Sequence, residues 1–503
     1  MTFAAGDWVD LRPTTPSPAT LGKIETKGAT MAIGWKLVGN GKPLAVGEVV
    51  RPDERLSWPK TIGVGAQHVV AMFGATFVFP LIMGLDPNLA IMMSGVCTIL
   101  FLLVVANKIP SYLGTSASFV GAVVAIRATG GTSADVTGAI LIAGVTLALV
   151  GVLIHFVGGR ALRKVLPPVV SGAVVMLIGF NLAPVVAGVY WPQDPGVAFT
   201  VMVFTIVAAV AFRGFWSRIA IFLALIFGFL LSWVLDKVVG EITAPTGAGD
   251  VTTHFRVDLS GVSDAAWFGL PALHAPTFEI NFILLALPGV IALIAENTGH
   301  VRAVAEMTNT DLDPYMGRAL FADGLGTALS SSIGGSPTTT YAENIGVMAA
   351  TRVYSTAAYY VAALVAILLG LVPKFGAVVS ATPGGVLGGI TVVLYGMIGL
   401  LGAKIWIENK VNFANPVNLV PIAAGIIIGV GGVAMSFGSD FELSGIALGS
   451  IVAIVAYHLA RWLAPRELRE PLIEDRAYVG GTAISTGTVV SAEGELPPFR
   501  DPK

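Results

Sequence analysis

Residues 330–349 read SSSIGGSPTTTYAENIGVMA, a polar run rich in Ser, Thr and Gly that carries one glutamate, Glu343, between long apolar segments. Two readings compete. The run is either an extramembrane loop in which Glu343 is a solvated cap, or irregular backbone at membrane depth. Lipid-exposed loops do not exist in hydrocarbon, but broken backbone facing a protein-lined cavity does. Which reading holds decides what the chain does.

Composition identifies the solvent. Of 503 residues, 55% are hydrophobic and 12% charged, and mean hydropathy is +0.81. A soluble domain carries roughly 25% charged residues, so this chain belongs in lipid. A net charge of -2 gives no reason to expect a nucleic-acid partner. The single cysteine, Cys97, lies in the apolar run IMMSGVCTILFLLVV, which leaves no disulfide to form within the chain. No GxxxxGK[ST] sequence occurs, so a P-loop ATPase engine is not expected, nor is any cofactor.

Apolar segments recur at 62–85, 88–106, 115–129, 137–158, 168–189, 197–212, 217–239, 280–300, 318–333, 341–352, 355–373, 381–402, 418–436 and 444–462. Two of them, 115–129 and 341–352, are too short to cross a bilayer, which takes about 20 helical residues. Short loops carry Arg160, Arg163, Lys164, Arg213, Arg218, Lys404, Lys410, Arg461 and Arg466. All of these fall on one side if both termini are cytoplasmic. The expected organisation is a cytoplasmic tail (1–60), a first seven-segment repeat (61–240), an extracytoplasmic loop (241–278), a second repeat (279–463) and a cytoplasmic tail (464–503). No apolar stretch of signal-peptide length is seen near the start.

The repeat is weak but visible. LPPVVSGAVVMLIG (166–179) resembles ATPGGVLGGITVVLYG (381–396) in its proline start and Gly-spaced apolar run. The two short segments, PSYLGTSASFVG (110–121) and SPTTTYAENIG (336–346), stand third and tenth, seven apart. Seven spans per repeat is odd, so the halves run in opposite directions. Paired, interrupted segments in inverted halves point to a transporter binding site. Each is expected to be a brief strand followed by a half-helix, the two half-helix N-termini meeting near the midplane with free N–H groups and positive dipole ends. The preferred fold class is therefore an all-α polytopic membrane protein of about fourteen segments, with short strands in segments 3 and 10.

Few ionisable groups interrupt the spans. Glu296 and His300 lie four apart on one helical face, and Gln67 and His68 occupy the first span, its repeat partner. A carboxylate within a membrane helix is costly and marks a substrate or proton path. Asp323 and His68 are expected to bond between helices.

ENIGVMAATR (343–352), the Gln67–His68 pair and the IAENTGH run resemble the nucleobase–ascorbate transporter family, and most of all its bacterial uracil and pyrimidine permeases, over about 52–461. The resemblance implies a core of spans 1–4 and 8–11 and a gate of spans 5–7 and 12–14. It implies substrate contacts at Glu296, Glu343 and backbone groups of Ala117 and Ala342, tyrosines at Tyr341 and Tyr395, and proton coupling through Glu296 and His300. Ala117 departs from the aromatic that the uracil branch has there, so a roomier pocket is expected. The implied activity is proton-coupled symport of uracil or a related pyrimidine into the cell across the inner membrane by alternating access, with no enzymatic chemistry. Two carboxylates would accept from the ring N–H groups and strand amides donate to its carbonyls. A purine permease of the same family and an anion exchanger of a related fold are the alternatives. The first has Gln where this chain has Glu343, and the second should show Arg or Lys at the half-helix ends. The partners are the nucleobase, protons and the bilayer; the oligomeric state stays open, with a homodimer among the options.

Overall fold

The computed structural model describes residues 34–38, 48–246, 250–437, 441–443, 445–469, 476–479 and 482–485. Most of the two expected tails lies outside them. Fourteen helices follow in the order of the apolar segments: α1 (Trp58–Met83), α2 (Pro87–Val104), α3 (Val120–Ala128), α4 (Ser133–Val157), α5 (Pro168–Phe180), α6 (Pro195–Ala211), α7 (Ala220–Val238), α8 (Ile280–Thr308), α9 (Met316–Ser331), α10 (Ala342–Thr351), α11 (Thr356–Gly370), α12 (Gly384–Glu408), α13 (Pro416–Val430) and α14 (Gly445–Leu463). Eight are long and apolar enough to cross a membrane, counting α5 with its continuation to Gln193. A ninth is added if α11 and the helix Pro373–Ser380, bent 82° from it, form one span.

The sequence dictates where these helices start. Asp86 caps α2 by accepting from the amides of Asn88 and Leu89, and Thr132 and Asp135 form a reciprocal capping box on α4. The repeat seen at 166–179 and 381–396 is structural. Pro167 and Pro383 occupy the N-cap of α5 and α12 in the same extended conformation, with ψ 162° and 145°.

Packing obeys an exchange of helix n with helix n+7. Helix α4 packs on α9, and their counterparts α11 and α2 pack on each other; α5 and α12 pack together about the same axis. Contacts are densest within two groups, here called core (α1–α4, α8–α11) and gate (α5–α7, α12–α14), and the groups also touch where α5 meets α8 and α1 meets α7. Between membrane helices the hydrophobic effect offers little, so close backbone approach matters. Gly144, Gly151, Gly317 and Gly324 line the α4–α9 seam. A Cβ on Gly144 would sit 2.7 Å from the Ala328 amide nitrogen. Helix α9, the most polar of the set, tolerates Asp323 and Thr327 because it is enclosed by protein on both sides.

Two segments outside the helices are anchored. Before α1, Val50 bridges to Val353, and the Trp35 indole donates to the Thr356 hydroxyl (2.8 Å), which donates to the Pro52 carbonyl (2.8 Å). The long loop 241–278 begins as a hairpin (Ile242–Pro245 with Val251–His254). Arg256 then bonds to Asp194 (2.8 Å) and Asp236 (3.1 Å), at the ends of gate helices α6 and α7. Further on, the Ala266 carbonyl accepts from the Lys374 amide (3.0 Å), and the Thr277 amide donates to the Ala134 carbonyl (3.0 Å), both in the core.

Candidate functional site

Strands β1 (Leu113–Thr115) and β2 (Thr338–Thr340) pair antiparallel, Leu113 opposite Thr340 and Thr115 opposite Thr338. Gly334, with φ 96°, turns the chain back toward β2. The expected strand-then-half-helix arrangement is thus present in both halves, and the run from Ser330 is buried backbone rather than a surface loop. Ala117 opens a short 3-10 turn leading into α3, and Ala342 opens α10. Amides at such starts lack the i−4 carbonyl of a helix interior, and in the first half Ser116 Oγ accepts one of them, the Ser118 amide (3.2 Å). Counted from Leu113 and Thr338, Ala117 and Ala342 hold the same place, and so do Ser118 and Glu343.

Four of the expected residues meet here. Ala117, Ala342, Glu343 and Glu296 are all partly accessible within an otherwise buried neighbourhood. Glu296 accepts from the Ser118 hydroxyl (3.3 Å) and lies within electrostatic reach of Glu343 and Asp323. Glu343 lies in the first turn of α10, where a negative charge is favoured. Glu296 is thus bonded beside the start of the first half-helix, and Glu343 belongs to the start of the second.

The other three are placed differently. His300 and Glu296 share a helical face but do not bond. His300 Nδ1 pairs instead with the Thr340 hydroxyl of β2 (2.9 Å). Tyr341 is only 4% exposed, and its hydroxyl is committed: it accepts from Thr76 (3.2 Å) and donates to the Thr115 carbonyl (2.8 Å). Tyr395 stacks on Phe79 of α1, ring centroids 6.1 Å apart and planes 7° from parallel, across the boundary between gate and core. It also lines a groove of about 450 Å³ between α5 and α12. His68 bonds between helices as expected, to Asn344 (3.1 Å). Asp323 is fully buried near Asn297 and Thr339, and neither carboxyl oxygen has a partner of good geometry.

Sequence reading missed Ser118 and Asn344. Aligning the halves on their strands rather than their helices would have found Ser118, since it stands where Glu343 stands in the second half.

The architecture is that of a membrane transporter. Solved structures with the same fold include the transmembrane domain of a cyanobacterium bicarbonate transporter, BicA (TM-score 0.53, 16% identity, covering 79% of this chain and 96% of that one). Another is the murine anion transporter Slc26a9 in an inward-facing state (TM-score 0.56, 13% identity, 80% and 68%). The model of the "Permease family" matches residues 59–437. Over 414 residues the chain is 43% identical to the Escherichia coli (strain K12) protein named "Putative pyrimidine permease RutG", covering 81% of this chain and 91% of that protein. It is 36% identical to the Escherichia coli (strain K12) protein named "Uracil permease" over 431 residues (83% and 95%). The chain belongs to the nucleobase–ascorbate transporter family (nucleobase:cation symporter-2). It is a multi-pass membrane permease.

Proposed function

We propose that this permease imports uracil or a closely related pyrimidine together with protons, by alternating movement of core against gate, with both termini cytoplasmic. The observation that carries this reading is the convergence of two acceptors, Glu296 and Glu343, on the starts of two half-helices at Ala117 and Ala342. A pyrimidine edge alternates N–H and C=O, and a pair of carboxylate acceptors beside main-chain donors offers the complementary groups. Relatives named as uracil and pyrimidine permeases support the same reading. A purine is less well matched, since Glu343 stands where the purine branch has Gln. An anion is disfavoured by a carboxylate in the first turn of α10.

Glu296 is the group proposed to carry the proton. Moving a charged carboxylate within a low-dielectric body is costly, so protonation lowers the cost of moving the core while substrate is bound. His300, held by Thr340, tunes that step through the strand rather than by direct contact. Purified protein in liposomes provides the test. Labelled uracil should accumulate under an inward proton gradient while labelled sulfate does not, and xanthine should compete poorly. Accumulation of sulfate, or of xanthine in preference to uracil, would sink the proposal.

A further inference from the structure

A two-stranded sheet buried in a membrane protein has a problem at its outer edges. In an antiparallel pair, alternate residues turn their N–H and C=O away from the partner strand, and unpaired backbone groups in a low dielectric are costly. Leu113 of β1 and Thr338 of β2 are such residues. Each has both of its backbone groups met by a single threonine hydroxyl from a helix. Thr98 of α2 accepts from the Leu113 amide (2.9 Å) and donates to the Leu113 carbonyl (3.4 Å). Thr327 of α9 accepts from the Thr338 amide (3.1 Å) and donates to the Thr338 carbonyl (2.9 Å).

The two clamps are counterparts under the n to n+7 exchange, and both threonines are fully buried. The residues just before them touch: Cys97 Sγ donates to the Gly326 carbonyl (3.3 Å), joining α2 to α9 beside the clamps. A Cβ at Gly326 would meet Thr338 Oγ1 at 3.1 Å and the Cys97 Cβ at 3.2 Å, so this junction has little room.

We infer that Thr98 and Thr327 are positioning residues that stand in for the missing third and fourth strands. They fasten the sheet to α2 and α9, so that the half-helix starts at Ala117 and Ala342, each four residues beyond its clamp, keep a fixed separation as the core moves. The link to substrate rests on the reading that a nucleobase binds between those starts.

Hydrogen exchange on the full-length protein in lipid nanodiscs tests the clamps without substrate. In Thr98→Val and Thr327→Val, exchange in peptides covering 111–116 and 336–341 respectively should accelerate by about tenfold or more. Thr98→Ser and Thr327→Ser, which keep the hydroxyl, should behave as wild type. Labelled uracil should bind Thr327→Val about fivefold or more weakly and Thr327→Ser normally. If a valine variant does not accumulate in membranes, the alanine variants, with room for a water, carry the same measurement. Unchanged exchange in the variants lacking the hydroxyl, or serine variants no better than valine, would overturn the inference. If wild type binds no nucleobase while the exchange pattern appears as described, the clamps stand and the proposed substrate falls.

Discussion

The side-chain amide of Asn344 donates to both the ring Nδ1 (3.1 Å) and the backbone carbonyl (3.0 Å) of His68, joining the half-helix α10 to α1. Because a carbonyl can only accept, the nitrogen of the Asn344 amide must face it. The ring Nδ1 beside that nitrogen then accepts too, and the imidazole proton sits on Nε2. Tyr359 closes the other side of the ring, with centroids 4.3 Å apart.

Asn344→Asp sets a carboxylate oxygen against two acceptors in a buried site. The variant should lose about 2–3 kcal/mol of stability, read as a drop in melting temperature in detergent. A variant as stable as wild type would show that the amide does not hold His68.

Glu343→Gln replaces an acceptor-only group with one that also donates. Uracil binding should weaken by at least about 1 kcal/mol, or roughly fivefold, measured by equilibrium binding to purified protein. An unchanged dissociation constant in a correctly folded variant removes Glu343 from the substrate contacts.

If the small Ala117 side chain enlarges the proposed pocket, a 5-methyl group should fit beside the opening of the first half-helix. Thymine should therefore compete with uracil more evenly than in Ala117→Phe, by a margin of about 1–3 kcal/mol for one methyl group. Competition assays on the two proteins settle it; an identical ratio refutes the size argument.

Coupling sets the direction of the pH dependence. If a proton enters with each neutral base, uptake rises as external pH falls, net charge moves inward, and a protonophore collapses accumulation. Glu296→Gln should abolish accumulation while leaving some binding, and His300→Ala should shift the pH profile. Uptake in proteoliposomes that follows sodium and ignores the proton gradient would leave Glu296 with a binding role only.

The α4–α9 seam makes a prediction about the fold itself. Gly324 lies against Gly144 and Ala148, and a Cβ there would come within 2.6 Å of the Gly144 carbonyl oxygen. Gly324→Val should cost several kcal/mol, about 3 or more, and should sharply reduce accumulation in membranes. Gly63, which has open space around it, should tolerate Ala at little cost.

Much of this was legible in the sequence because the signals were local. Glu343 beside a Thr-rich run occupies one window, and the proline-started repeats and seven-apart interruptions are each a short window compared with its copy. What escaped was bonding between distant windows. Ser118 meets Glu296 across 178 positions and Tyr341 meets Thr115 across 226, and no periodicity records such pairs. The four-residue spacing put Glu296 and His300 on one helical face, but it could not show that His300 bonds Thr340 of β2. The segment before α1 was expected to be tail, yet Val50 is fully buried against Val353. Its polar composition hid one well-placed valine.

If core moves against gate as proposed, the loop that Arg256 anchors becomes a leash between them. Its near end rides with the gate through Asp194 and Asp236, and from Ala266 onward it rides with the core. Any travel of one body past the other must be taken up between Val257 and Ala266. Those nine steps include the short helix Ser260–Asp264, which holds chain in reserve. Fully drawn out they reach roughly 30 Å, so the leash has slack to give. A disulfide or a shortened segment placed there would turn that slack into a stop, setting how far the permease can open.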